Sequence, residues 1–142
     1  MHRTIVVVDV EGFGSRRRTN AHRAVVRDGV YRSLRQAFDS AGVSWTDCDH
    51  QDCGDGVFIL VPAEIPKASF VEIVPPALVA ALHKHNTAHG AEERIRLRMA
   101  LHAGEVVYDE HGVTAASVNL TFRLLDSPAL KAALAASPAY WR

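Results

Sequence analysis

Residues 4–8, TIVVV, form an unbroken β-branched run and read as a strand buried on both faces. The polar stretch that follows, DVEGFGSRRRTN, holds two glycines and reads as a loop, with Thr19 or Asn20 capping a helix. Val26, Val30, Leu34 and Phe38 then recur at every fourth position, predicting an amphipathic helix that ends near Gly42. VSWTDC (43–48) alternates and predicts a second strand, and VFILV (57–61) predicts a third, stopped by Pro62. The two strands read as a hairpin with Asp55 close to its turn.

Pro66, Pro75 and Pro76 punctuate the next region. Prolines interrupt a regular helix but suit its first turn, so the pattern predicts a helical piece at 67–74 and a helix at 76–87 with Leu78, Ala81 and Leu82 inward. RIRLRMALHAGEVVY (94–108) alternates Ile95, Leu97, Met99 and Leu101 against Arg94, Arg96 and Arg98, a half-buried strand with its arginines on the polar side. DEHG (109–112) is a turn, and SVNLTFRLLDSPALKAALAAS reads as a helix, a break near Pro128 and a second short helix. The order is β-α-β-β-α-β-α. It predicts one α+β domain over residues 1–142: a ferredoxin-like βαββαβ antiparallel sheet with helices on one face, plus a C-terminal helix.

Composition narrows the function classes. Lysine plus arginine equals aspartate plus glutamate, 16 each, so net charge points to neither nucleic acid nor a membrane surface. No apolar run has the length of a membrane span, and Asp9 and Glu11 interrupt the N-terminal run before any signal-peptide pattern forms. The expectation is a cytoplasmic protein whose Cys48 and Cys53 are reduced thiols. With His50 they resemble part of a zinc site, but a structural site usually needs four ligands. The basic run Arg16–Arg18 reads as a solvated loop. Trp45, Phe58 and Phe122 read as core, and His102 as a structural histidine. Tyr140 and Trp141 are candidates to cover the sheet or a dimer face.

The candidate chemistry lies in two carboxylates. Asp9 leaves the first strand where the antiparallel strand after Asp55 begins, so the topology brings both side chains to one edge of the sheet. They repel unless a cation lies between them, and an all-oxygen donor set suits Mg2+ or Mn2+. Gly12 and Gly14 permit a tight loop whose backbone N–H groups face a triphosphate, while Gly54 and Gly56 clear side chains from a ligand's approach. Aspartate and glycine are also the commonest residues of ordinary turns, so either stretch alone is a weak signal. Asn119 and Arg123 stand four apart on a helical face, where an amide and a guanidinium hold a ribose oxygen and a phosphate, or merely face solvent.

VVVDVEGFG, CGDGVFILV, RMALHAGEV and VNLTFRLL, in that order, resemble the landmarks of the class III nucleotide (adenylate/guanylate) cyclase catalytic domain, in particular the short cyclase-like domains of actinobacteria. The likeness runs from about residue 4 to 126. It implies a homodimer with composite sites, two divalent cations (Mg2+ or Mn2+) held by Asp9, Asp55 and the carbonyl of Val10, and phosphate contacts at Gly12 and Phe13. It further implies that Asn119 and Arg123 of the partner subunit orient the ribose and steady the phosphorus. The implied reaction turns a purine nucleoside triphosphate into a 3′,5′-cyclic nucleotide and pyrophosphate.

The departures from the family are equally specific. Gln51 stands where adenylate cyclases carry a base-reading lysine, Gly112 where they carry the second base reader, and Ala115 at a glycine position. The hairpin before SVN is shorter than the family's, and the chain reads as lacking the C-terminal segment with its phosphate-binding lysine. Gln51 keeps an amide that both donates and accepts hydrogen bonds to a base. The alternative is a catalytically silent cyclase fold that binds a nucleotide or dimerises in signalling; a purely structural interaction domain without metal is the third reading.

Overall fold

The computed structural model describes residues 2–52, 54–105, 107–109 and 112–114. Strand β1 (His2–Val10) leads to helix α1 (Asn20–Ser40), and strands β2 (Asp49–Asp52) and β3 (Gly56–Val61) form a hairpin. Helix α2 (Lys67–Thr87) precedes strand β4 (Leu97–Glu105), after which β5 (Val107–Asp109) and β6 (Gly112–Thr114) pair with each other. The main sheet has the order β2-β3-β1-β4 with every pairing antiparallel, so the ferredoxin-like arrangement holds, with helices on one face.

β1 sits at the centre because both its faces are apolar. Val6, Val8 and Val10 enter the core under the helices, while Ile5 and Val7, pointing the other way, are also buried. The periodic stripe of α1 behaves as its spacing requires: Val26, Val30, Leu34 and Phe38 are all buried. Its start is set by Thr19, whose hydroxyl accepts from the His22 N–H at 3.1 Å, while the His22 ring accepts from the Thr19 N–H at 3.0 Å.

Two elements differ from the sequence expectation. Residues 43–48 are not a strand: Trp45–Asp47 form a short 3-10 helix, and β2 begins only at Asp49. Trp45 turns into the core and packs edge-on against Phe38 and Tyr31, so its burial decides the local backbone. Helix α2 is continuous through Pro75 and Pro76, where a break was expected. The carbonyls that lose their partners to these prolines belong to Val71 and Glu72, both on the exposed side where water can satisfy them. On the other side Phe70, Val74, Leu78 and Leu82 form an unbroken buried stripe against the sheet, and that packing outweighs the lost bonds.

The entry to β4 is fixed by the end of α2. Buried Asn86 accepts from the Ile95 N–H at 2.7 Å and donates back to the Ile95 carbonyl at 2.9 Å. His85 contributes a third bond, from Nε2 to the Glu93 carbonyl at 2.8 Å. Each such buried bond adds about 1 kcal/mol net, and leaving any one unmade costs more. Among the described residues no helix is long and apolar enough to cross a membrane. Cys48 is a buried free thiol, and Cys53 lies outside the described residues, as do Phe122, Tyr140 and Trp141.

Candidate functional site

Alternation along β1 sends Val8 and Val10 under the helices and Asp9 to the opposite face. There it stands directly across from Arg98 in the β1–β4 register. Arg98 Nε donates to Asp9 Oδ1 at 2.7 Å, and Nη2 donates to Oδ2, a two-point guanidinium–carboxylate pair. Both residues are buried, Asp9 at 6% exposure and Arg98 at 7%. Arg98 thus keeps to the face that the alternation gave it, opposite Leu97 and Met99, but is buried there and not solvated. Its signal was Asp9 itself: a carboxylate inside an apolar strand needs a cation on a neighbouring strand.

Asp55 reaches the same rim by a different route. Its neighbour Gly56 pairs with Asp9 in the β1–β3 register, and the Asp55 carbonyl accepts from the Val10 N–H at 2.9 Å. Gly56 is required by packing, because a Cβ there would lie 2.0 Å from the Val8 carbonyl oxygen. The close approach at Gly56 is thus made by β1, not by a ligand as its sequence context suggested. Gly54 has φ +85°, a left-handed conformation that the turn demands.

Asp52 holds that turn in place. Its Oδ1 accepts from the Gly54 N–H at 2.8 Å, while Oδ2 accepts from the Tyr31 hydroxyl at 2.7 Å and pairs with Arg27 at 2.7 Å. The hairpin tip that carries Asp55 is in this way tied to α1. Asp52 was not among the residues singled out from the sequence; its offset of two from a glycine in a turn was the available signal.

The loop after β1 completes the site. Gly12 has φ +67°, Ser15 N–H donates to the Gly12 carbonyl at 3.0 Å, and Arg23 donates to the carbonyls of Phe13 and Ser15 at 3.2 Å each. No described residue accepts from the N–H groups of Gly12, Phe13 or Gly14. A cleft of about 390 Å³ lies against these groups, lined also by Val10, Asp55 and Arg98. It combines unsatisfied N–H donors, a guanidinium and an exposed carboxylate, a set that suits a polyphosphate accompanied by a cation.

Val10, Gly12, Phe13 and Asp55 thus line one cleft, while Asp9, paired with Gly56 on the next strand, is held by Arg98 and does not line it. Gly54 lines an adjoining small recess with Val10 and Phe13. Gln51 is exposed on β2, opposite Phe58, and does not line the cleft. Asn119, Arg123 and Ala115 lie outside the described residues; Gly112 is the first residue of β6. Among the described residues no group of three or more His, Cys, Asp or Glu stands ready to hold a metal. Mg2+ is held by one or two carboxylates together with substrate phosphates, and Asp55 is the exposed carboxylate at the cleft.

No family model and no curated protein matches this sequence. Solved structures do. The chain is similar to the guanylyl cyclase Cya2, at 20% identity and TM-score 0.55 over 89% of this chain and 70% of that one. A bacterial light-regulated adenylyl cyclase matches at 12% identity and TM-score 0.67 over 99% of this chain and 73% of the other. The guanylate cyclase domain of RhGC from Catenaria anguillulae, solved with GTP, matches at 14% identity and TM-score 0.60, over 89% and 72%. At these identities the likeness establishes the fold.

Proposed function

We propose that this chain, which has the fold of class III nucleotide cyclase catalytic domains, converts a purine nucleoside triphosphate to a 3′,5′-cyclic nucleotide and pyrophosphate as a cytoplasmic, metal-dependent homodimer in signalling. The observation that carries the reading is the meeting of Asp55 and Arg98 at the cleft beside the Gly12 loop, with Asp9 held by Arg98 on the adjoining strand. Two neighbours of the same fold were solved with GTP and with ATPαS, which supports the substrate class, and another was solved as a non-canonical dimer, so the fold is able to self-associate.

In this reading Asp9, Asp55 and the Val10 carbonyl hold two Mg2+ or Mn2+ ions. When bound, such an ion neutralises phosphate charge and favours ionisation of the attacking hydroxyl. The N–H groups of Gly12 and Phe13 take phosphate oxygens, and Arg98, its charge shared with Asp9, lines the cleft beside them. Gln51, at the edge of the hairpin, meets the base, and Gly54 keeps the approach open. Asn119 and Arg123 of a second copy orient the ribose and steady the phosphorus. The 3′ oxygen loses its proton and bonds to the α-phosphorus as the bond to the pyrophosphate oxygen breaks. The protein's share is positioning and electrostatics, with no covalent intermediate.

The test is incubation of purified protein with each nucleoside triphosphate and Mn2+, followed by mass spectrometry for cyclic product. Absence of product from all of them removes the enzymatic reading. The second reading, a silent nucleotide-binding or dimerisation module, is favoured by Arg98 occupying both oxygens of Asp9 and by Gln51 and Gly112 at the base-reading positions. Calorimetric nucleotide binding without turnover selects it. A thermal midpoint unmoved by Mn2+ and nucleotide rejects the enzymatic reading and nucleotide binding alike, leaving only the dimerisation module, because a ligand of the native state raises it.

A further inference from the structure

A second cleft, about 550 Å³, shares Glu11, Gly12 and Ser15 with the one above but has neither Asp55 nor Arg98 in its lining. Four guanidinium groups line it, those of Arg17, Arg18, Arg94 and Arg96, against the two carboxylates of Glu11 and Glu92. Arg96 is paired with Glu11 at 3.2 Å. Arg17, Arg18 and Arg94 have no carboxylate partner among the described residues.

The side chains of Arg18 and Arg94 are held in place. Arg18 Nη2 donates to the Arg94 carbonyl at 2.8 Å, and Arg94 Nε donates to the His89 carbonyl at 3.3 Å. Arg18 Nη1 is buried without a hydrogen-bond partner. The loop that carries Arg17 and Arg18 is braced by the Ser15, Arg17 and Arg18 N–H bonds and by Arg23 beneath it. Asn86 fixes the segment that carries Arg94 and Arg96. Burial first, and Arg23 second, press against the charge of Arg18 and lower its pKa; with four arginines against two carboxylates, the lining carries a positive excess.

We propose that this arginine cleft is a binding site for a soluble diphosphate-class anion, separate from the candidate nucleotide site and sharing one loop with it. Neighbouring oxyanions of a diphosphate match guanidinium forks on two facing segments, the geometry in which arginine outperforms lysine. An occupant supplies acceptors to the exposed Arg17 and Arg94 and spans the loop and the entry to β4. The site does not depend on whether the nucleotide cleft is catalytic.

Titration calorimetry of the full chain with sodium pyrophosphate, in EDTA at low ionic strength, tests this without metal. Saturable binding is expected, with inorganic phosphate weaker than pyrophosphate. Asp55→Asn should bind as the wild type does. Arg17→Gln and Arg94→Gln, both at exposed positions, should each weaken binding by about tenfold, the scale of one charged hydrogen bond. Arg94→Lys should fall between, since it keeps charge and loses the fork. The proposal is overturned by absence of binding, by arginine variants that bind like the wild type, or by loss of binding in Asp55→Asn. Sedimentation with phosphatidylglycerol vesicles in place of soluble pyrophosphate overturns it as well, since the cleft would then read lipid phosphate.

Discussion

Arg98 on β4 clasps Asp9 near the end of β1, both side chains buried and both carboxylate oxygens engaged. Any cation that uses Asp9 therefore competes with, or joins, a guanidinium already in place. Breaking one side of such a pair leaves a buried charge short of its partner. Arg98→Ala is expected to lower unfolding free energy by roughly 3–5 kcal/mol, whereas Arg98→Met combined with Asp9→Asn should recover much of it. Urea denaturation of the three variants measures this. Addition of Mn2+ to Arg98→Ala should restore stability, since the ion then takes the guanidinium's place.

Asp55 and Asp52 separate chemistry from scaffolding at the same turn. Asp55 is exposed, so Asp55→Asn should change stability by less than about 0.5 kcal/mol. In the cyclase reading the same variant should lose about 100-fold or more in product formation. Asp52→Ala removes the contacts to Tyr31, Arg27 and Gly54 and should lower stability by about 1–3 kcal/mol as well as activity. Thermal unfolding run beside the product assay distinguishes the two.

Gly56 and Gly14 form a matched pair. Gly56→Ala forces a methyl group against the Val8 carbonyl and should destabilise by about 2 kcal/mol or more. At Gly14 nothing lies within 4 Å of an added Cβ, so Gly14→Ala should be close to neutral. Chemical denaturation midpoints report both.

His85 predicts a pH dependence. Burial lowers its pKa below the ordinary imidazole value; His89 stacked on it and Arg32 on α1 push the same way, against the opposing hydrogen bond to the Glu93 carbonyl and the charge of Glu93 itself. The unfolded chain therefore takes up a proton that the folded chain resists. This contribution to stability is complete above about pH 6.5 and is lost as pH falls below it toward the depressed folded value. His85→Gln should flatten the decline between pH 6.5 and more acidic conditions, as read from urea midpoints at several pH values.

What the sequence revealed of this molecule follows the physics of each segment. β1, the stripe of α1 and the hairpin tip were legible because apolar periodicity and turn glycines act locally. The 3-10 helix at Trp45 was not, since a single aromatic's burial against Phe38 overrode an alternation that would suit a strand. The prolines of α2 misled because their cost depends on whether the carbonyls they orphan face solvent, a tertiary matter. At the site, the meeting of Asp9 with the hairpin tip followed from topology, but Arg98 did not, because alternation reports faces and not partners. Asn119 and Arg123 lie outside the described residues.

The hairpin's outer strand has a further consequence. Among the described residues β2 is the last strand on its side of the sheet, and it reads Asp-His-Gln-Asp, with a carboxylate at either end of its four residues. An added antiparallel copy of this strand would set acid against acid or leave polar side chains stranded, so β2 repels edge-to-edge extension. Self-association of this chain is thereby steered away from continuous sheet growth and toward its faces and loops.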